Sequence, residues 1–180
     1  MRLEAFAAAG TPIFFLHGNR DFLLARAYAE RAALTLLPDP SAVDLYGTPT
    51  LLMHGDSLCT GDRAYQRFRA VARRPWVQRA FRALPLALRR TVARRLRAAS
   101  RQAAEHKPTA IMDVTPAAAA QALRAAACTR LIHGHTHRPA RHALTVDGRD
   151  CERWVLPDWD ARGGWLSCGP AGCELHFVEI

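Results

Sequence analysis

The sequence predicts an α/β fold, because three short apolar segments each lead directly into a polar loop that contains histidine and glycine. The loops read H-G-N-R-D at residues 17–21, H-G-D at 54–56 and H-G-H-T-H at 133–137. Short apolar runs suit buried strands, and stretches of helical periodicity separate them, as in α/β proteins. Open α/β sheets place their sites in the loops that follow strands. We therefore expect these loops to carry the chemistry.

The other elements follow from periodicity and from stop signals. A helix at the start of the chain ends at Gly10, and further helices are predicted over residues 22–33 and, rich in alanine, over 116–127. Strands are predicted at residues 11–16, 34–37, 43–45, 50–53 and 131–132. Residues 143–180 are typical of β structure, with turns at Asp147-Gly148, Gly163-Gly164 and Gly169-Pro170.

The segment from Arg63 to Arg101 differs from the rest of the chain. It contains thirteen arginines and no Asp or Glu. Its apolar residues recur at helical spacing, and Pro75 and Pro85 divide it into short helices. Soluble helices usually mix both signs of charge, so we interpret this segment as a basic, amphipathic insertion suited to a membrane surface or an anionic amphiphile. An ordinary solvated helical hairpin is the alternative.

Composition limits the partners and the compartment. The 180-residue chain carries a formal net charge of +9, and Lys107 is the only lysine among its 25 Lys and Arg residues. Such a surface indicates an anionic partner: nucleic acid, a phosphorylated metabolite or anionic lipid. No RNA-binding signature occurs, which disfavours nucleic acid. The five cysteines are odd in number and form no C-x-x-C, which argues against a disulfide framework or a zinc ribbon and fits a reducing cytosol.

The His-x-His pair in the last loop is the strongest candidate for metal binding. An extended backbone would place His135 and His137 on the same side, and a tight loop could aim both at one point just as well. Imidazole is the commonest side-chain ligand of first-row transition metals. Together with the amide oxygen of Asn19 and the imidazole of His54, these residues offer mixed nitrogen and oxygen ligands, which suit Mn²⁺, Fe²⁺ or Zn²⁺.

The order G-N-R-D, H-G-D and G-H-T-H resembles the second half of the calcineurin-like metallophosphoesterases, although Arg20 stands where the wider superfamily has histidine. The fuller set of motifs is similar to the UDP-2,3-diacylglucosamine diphosphatase family of lipid A biosynthesis. These motifs are H-G-N-R-D-F-L-L (17–24), H-G-D-S-L-C-T (54–60), Y-Q-x-F-R (65–69), I-M-D-V (111–114) and H-G-H-T-H-R-P (133–139). The resemblance implies one domain over residues 1–180, a four-layer α/β/β/α sandwich with a helical lid insertion at 63–107.

The same resemblance implies a reaction and roles for individual residues. The family hydrolyses the pyrophosphate bond of UDP-2,3-diacylglucosamine to UMP and 2,3-diacylglucosamine 1-phosphate (lipid X), using a pair of Mn²⁺ ions. By motif match, Asn19, His54 and His135 would hold one ion and His137 the other, and Arg20 would be a catalytic clamp on the pyrophosphate. The implied substrate contacts are Asn19, Arg20, Asp62, Ser100, Lys107 and His135, and the implied lipid-lid residues are Tyr65, Phe68 and Phe81.

The resemblance also implies a monomer that is peripheral to the cytoplasmic face of the bacterial inner membrane, where it meets its UDP-linked glycolipid and no nucleic acid. The family pattern opens with D-x-H and a G-D loop, and neither stands upstream of Asn19. We therefore expect an N-terminally truncated domain with at most one well-held ion and impaired activity. A catalytically incomplete paralogue, a site completed by another chain, and another phosphoesterase acting on nucleotides or phosphoproteins are the alternatives.

Overall fold

The computed structural model describes residues 3–105, 107–160 and 162–180, which form two compact units. The first unit comprises the residues up to Leu58 together with Val114–Ile180, and the second comprises Cys59–Asp113. The first unit is a mixed α/β structure, as the sequence predicts, and the second is helical.

The elements of the first unit before the break are α1 (Leu3–Ala8), β1 (Ile13–Leu16), α2 (Arg26–Arg31), β2 (Leu34–Leu37), β3 (Ser41–Leu45) and β4 (Thr48–Met53). The second unit contains α3 (Arg63–Ala72), α4 (Pro75–Ala83) and α5 (Leu86–Glu105). The first unit then continues with α6 (Pro116–Ala126), β5 (Arg130–His133), β6 (Ala140–Val146), β7 (Arg149–Val155), β8 (Arg162–Gly169) and β9 (Gly172–Glu179). The predicted strands and the alanine-rich helix are confirmed.

A five-stranded sheet in the order β3-β4-β5-β7-β6 forms the centre of the first unit. Strands β4, β5 and β7 are parallel, whereas β3 and β6 pair antiparallel at the edges. Parallel β1 and β2 form a separate pair, and β8 and β9 form an antiparallel hairpin. Because parallel neighbours end at the same edge of a sheet, the loops after β4 and β5 are brought side by side.

The hydrophobic core lies around the central strands and α6. Leu51 of β4, Leu131 of β5 and Val155 of β7 are almost completely buried, and so is Leu123 of α6. Helix α6 contacts β5 and β6. Each such aliphatic side chain contributes about 1.5–3 kcal/mol when it is fully buried, so β4 and β5, which lead into the second and third histidine loops, are firmly packed.

A charged cluster joins three strands of the central sheet. Glu152 of β7 accepts a hydrogen bond from Arg130 of β5, and its second oxygen accepts from Nε of Arg141 of β6 at 2.9 Å. Burial raises the pKa of Glu152, but hydrogen bonds from both arginines and the charge of Arg130 outweigh burial and hold this pKa below its usual range. The cluster therefore favours the ionised carboxylate.

The helical unit is divided where the sequence predicts, but α5 is not a short helix, since it has 20 residues. Its three helices are separated at Pro75 and Pro85, and α3 and α4 contain no buried residue. Asp62 caps α3, because its Oδ1 accepts from the backbone N–H of Tyr65 at 3.0 Å. Its Oδ2 lies 2.6 Å from Nζ of Lys107. This ion pair ties together the two ends of the helical segment. Among the described helices, none is both long enough and apolar enough to cross a membrane.

Three local expectations are wrong. The helix predicted over Phe22–Ala33 is shorter, because Leu24 is held in a turn by its backbone bond to Asp21. Gly163 and Gly164 form no turn and lie within β8, where an added Cβ at Gly164 would meet the carbonyl oxygen of His176. Cysteines 168 and 173 are directly opposite in the hairpin and form a disulfide, which an odd cysteine count does not exclude.

Replacing Glu152 by Gln is expected to destabilise the protein at neutral pH by about 3 kcal/mol, the low end for breaking a buried ion pair, because the buried Arg130 loses its carboxylate. Since the folded pKa of Glu152 is lowered, its stabilisation is complete above the pKa of an unfolded glutamate, about 4.3, and is lost as the pH falls through the folded value. Urea unfolding measured from about pH 7 downwards should show the stabilities of the two proteins converging as the pH falls.

Asp147→Asn is the matched control, because Asp147 pairs with Arg124 at an exposed position. Exposed ion pairs contribute little to stability, so this variant should change the urea midpoint far less. Equal losses for the two variants would contradict the assignment.

Candidate metal centre

The loops after β4 and β5 are joined by backbone hydrogen bonds. The N–H of Gly134 donates to the carbonyl oxygen of His54 at 3.0 Å, and the N–H of His54 donates to Oδ1 of Asp39 at 3.1 Å. The imidazole rings of His54 and His135 consequently lie with their centroids 4.9 Å apart in an edge-to-face arrangement. Two of the predicted ligands are therefore brought together.

The G-H-T-H loop is a tight loop, which decides between the two conformations that the sequence allows. His135 and His137 have φ angles of 67° and 52°, in the left-handed region. The N–H of Thr136 donates to the carbonyl oxygen of Gly134 at 2.8 Å and closes the turn. A non-glycine residue in this conformation costs about 1–2 kcal/mol. Such residues cluster at functional sites, where the surrounding structure holds them in place.

The loop after β1 packs against His54. Gly18 donates from its N–H to Oδ1 of Asp21 at 2.5 Å, and Nε2 of His17 donates to the carbonyl oxygen of Leu24 at 2.9 Å. A Cβ added at Gly18 would lie 3.2 Å from Cε1 of His54. This distance is tight for any side chain larger than that of glycine, and the residue that follows Gly18 is the half-buried Asn19.

His137 has a carboxylate neighbour that the sequence does not predict. Its Nδ1 lies 3.2 Å from Oδ2 of Asp158, and both side chains are partly exposed. Histidines that bind metals commonly donate their other ring N–H to a carboxylate, which fixes the tautomer and the ring orientation. In this arrangement Nε2 is the nitrogen of His137 that remains for a ligand.

The donor set fits one transition-metal ion in part. Imidazoles from His54 and His135, with the amide oxygen of Asn19, are the mixed ligands that Mn²⁺ accepts. Within residues 3–105, 107–160 and 162–180, no group of three or more His, Cys, Asp or Glu side chains is gathered closely enough to hold a metal ion. The ligand assignments of Asn19, His54, His135 and His137 stay predictions.

The structure places the other predicted residues as follows. Arg20 is exposed in the first loop. In the helical unit, Asp62 and Lys107 pair with each other, and Ser100 is exposed on α5. Phe68 is 45% exposed, whereas Tyr65 and Phe81 are half-buried. Asp62 and Lys107 therefore have a structural partner in addition to any substrate contact.

Sequence reasoning missed Asp39 and Asp158, which hold His54 and His137 from other parts of the chain. Asp39 precedes His54 by fifteen residues and Asp158 lies beyond β7. Neither carboxylate belongs to a motif with recognisable spacing, so their contacts with His54 and His137 are seen only in the folded structure.

Parallel strands that end in histidine loops define an α/β protein with a candidate metal centre. No protein-family model matches the chain. Several proteins called UDP-2,3-diacylglucosamine hydrolase are similar to it. That of Nitrosococcus oceani is 51% identical over 177 residues, covering 98% of this chain and 70% of the relative. That of Pseudomonas paraeruginosa is 53% identical over 163 residues, covering 91% and 68%. That of Aeromonas hydrophila is 49% identical over 176 residues, covering 96% and 73%.

The chain therefore belongs to the UDP-2,3-diacylglucosamine hydrolase family. The resemblance predicted from the motifs is confirmed, and the members of the family are hydrolases by name.

Gly18→Ala is expected to weaken Mn²⁺ binding by about tenfold, the low end for a residue that orients a metal ligand, because the new methyl group displaces the loop from His54. Gly169→Ala is the matched control, since an added Cβ there meets nothing within 4 Å. The free Mn²⁺ signal in electron paramagnetic resonance measures both affinities. Equal affinities for the two variants would show that the packing of Gly18 on His54 does not shape the site.

Proposed function

We propose that this chain hydrolyses the pyrophosphate bond of UDP-2,3-diacylglucosamine, giving UMP and 2,3-diacylglucosamine 1-phosphate in lipid A biosynthesis. The main support for the proposal is that the imidazoles of His54 and His135 lie next to each other, where the loops after β4 and β5 are joined by a backbone hydrogen bond. This arrangement occurs in a chain about half identical to hydrolases whose names state this substrate. Within this proposal, the central sheet and the smaller sheets correspond to the two β layers of a four-layer α/β/β/α sandwich.

Mn²⁺ is the metal we propose for the centre. Asn19, His54 and His135 would hold one ion and His137, oriented by Asp158, would contact the other. When bound, such ions activate water and neutralise charge on the phosphoryl oxygens. The motif match assigns Asn19, His54 and His135 to one ion and His137 to the other, so we expect slower turnover than in the relatives of this family.

Arg20 is the residue we propose to clamp the substrate pyrophosphate. It follows Asn19 directly and its side chain is exposed, so its guanidinium is accessible to a dianionic group. Guanidinium donors form paired, charge-assisted hydrogen bonds with phosphate oxygens. Such donors stabilise the charge that develops during hydrolysis when they are held in place before the reaction.

We propose that the helical unit binds the acyl chains as a lid. The same unit is proposed to contact the cytoplasmic surface of the inner membrane. The protein is proposed to act as a monomer. Large apolar side chains on its helices are exposed beside many arginines: Phe68, Val71, Trp76, Leu86, Leu88 and Leu96. Aliphatic and aromatic groups favour acyl chains, and guanidinium groups favour phosphates. Asp62, Ser100 and Lys107 are the polar residues we propose for the sugar and nucleotide end.

The direct test is Mn²⁺-dependent release of UMP by the purified chain. His135→Ala should lower the rate by more than about 100-fold, beyond the loss typical of a residue that only orients a ligand. His176→Ala, on the β8–β9 hairpin, is the control and should retain the wild-type rate. UDP-N-acetylglucosamine, which lacks the acyl chains, should be hydrolysed far more slowly. A rate that is indifferent to Mn²⁺ or to His135 contradicts the metal centre, and preference for the soluble UDP-sugar contradicts the substrate.

Phe68→Ala tests the acyl-chain surface. Loss of the phenyl ring should raise KM for the diacylated substrate about threefold to tenfold, with kcat little changed, because roughly 1 kcal/mol of apolar contact is lost. Phe14→Ala removes another exposed phenyl ring from β1, 58% exposed against 45% for Phe68, and should leave KM unchanged. A KM effect of the same size in both variants would argue against the helical unit as the acyl-chain site.

A further inference from the structure

We propose that His133 is a positioning residue that holds the metal-binding loops in place without touching the ion itself. It is the last residue of β5 and is completely buried. The proposal rests on the proposed function only in requiring that His54 and His135 bind a metal ion. Nothing in the motif spacing assigns a task to this first histidine of the loop, so its role is read from its contacts.

One ring nitrogen of His133 holds the turn that leads to His135. Its Nδ1 lies 2.8 Å from the carbonyl oxygen of Gly134. A carbonyl oxygen only accepts hydrogen bonds, so Nδ1 carries the proton and donates. Gly134 also donates its own N–H to the carbonyl oxygen of His54. Gly134, the residue before His135, is therefore held both by the backbone that follows β4 and by the buried imidazole.

The other ring nitrogen is held from β7. Nε2 of His133 lies 3.1 Å from Nη1 of Arg153. A guanidinium group only donates, so Nε2 is the acceptor. Both nitrogens are thus satisfied by the neutral tautomer that is protonated at Nδ1. A buried polar group that is bonded on both sides fixes the orientation of its neighbours, because any rotation leaves a donor or an acceptor without a bond.

Gly55 provides the space for this imidazole. It follows His54 directly, has a φ of 102°, and an added Cβ would lie 2.7 Å from Nδ1 of His133. A side chain at this position would therefore collide with the ring as well as strain the backbone. His133 lies between the residue after one predicted ligand and the residue before the other. The dipeptides His54-Gly55 and His133-Gly134 therefore pack directly against each other.

The test separates the two hydrogen bonds of His133. In His133→Asn the amide nitrogen takes the place of Nδ1 and keeps the donor to Gly134, whereas His133→Leu removes both bonds. Of these two bonds, Arg153→Met removes the one to Nε2 and leaves the one to Gly134. The Mn²⁺ dissociation constant is measured from the free Mn²⁺ signal in electron paramagnetic resonance, and thermal unfolding shows that each variant is folded. His176→Leu is the control, because it removes a half-buried imidazole from the β8–β9 hairpin.

We expect His133→Leu to weaken Mn²⁺ binding by about 10–100-fold, as loss of orienting partners does. His133→Asn should recover part of the affinity, to within about threefold to tenfold of the wild type, and Arg153→Met, which loses the same bond to Nε2, should weaken binding by a similar factor. The control should bind as the wild-type chain does. Wild-type affinity in a folded His133→Leu variant, or no recovery in His133→Asn, would overturn the proposal. If His133→Leu does not fold, unchanged affinity in Arg153→Met would overturn it.

The same measurement distinguishes failure of this inference from failure of the proposed function. A wild-type chain that binds no Mn²⁺ would overturn the metal centre and with it the role of His133. If the wild-type chain binds Mn²⁺ and the His133 and Arg153 variants bind it with the same affinity, only the role of His133 would be overturned.

Discussion

The parallel pairing of β4 with β5 is the constraint on which the site depends. Because the strands are parallel, both end at the same edge of the sheet. The hydrogen bond from the N–H of Gly134 to the carbonyl oxygen of His54 then continues the pairing into the loops. Leu51 and Leu131, fully buried within these strands, keep the register fixed. A shift of one residue would turn every side chain to the opposite face of the sheet, so the position of the imidazoles follows from the packing of the core.

The loops that this pairing brings together are held in conformations that are costly by themselves. His135 and His137 both adopt left-handed backbone angles, and the polar contacts around them offset the cost. Asp39 holds the backbone of His54, and Asp158 lies against the ring of His137. The helical unit differs, because its helices expose apolar side chains beside many arginines, a combination suited to a partner that is both apolar and anionic.

The sequence predicts the strand and loop order well, because apolar runs and H-G motifs are local signals. Pro75 and Pro85 likewise mark the helix boundaries correctly. Features set by particular contacts rather than by periodicity could not be predicted: the short α2, the burial of Gly163 and Gly164 in β8, and the pairing of Cys168 with Cys173. The carboxylates of Asp39 and Asp158 are likewise visible only once the strands are paired. Periodicity predicts a helix or a strand, but it does not predict which side chains from other parts of the chain contact that element.

The central claim is that imidazoles of His54 and His135 bind the same ion. Pulsed electron paramagnetic resonance of the chain loaded with one equivalent of Mn²⁺ tests it, because nitrogen nuclei bound to Mn²⁺ modulate the electron spin echo. We predict imidazole nitrogen modulation that weakens in His54→Ala and in His135→Ala and persists in His176→Ala. Bound Mn²⁺ with no imidazole modulation, or with modulation that neither substitution changes, would contradict it.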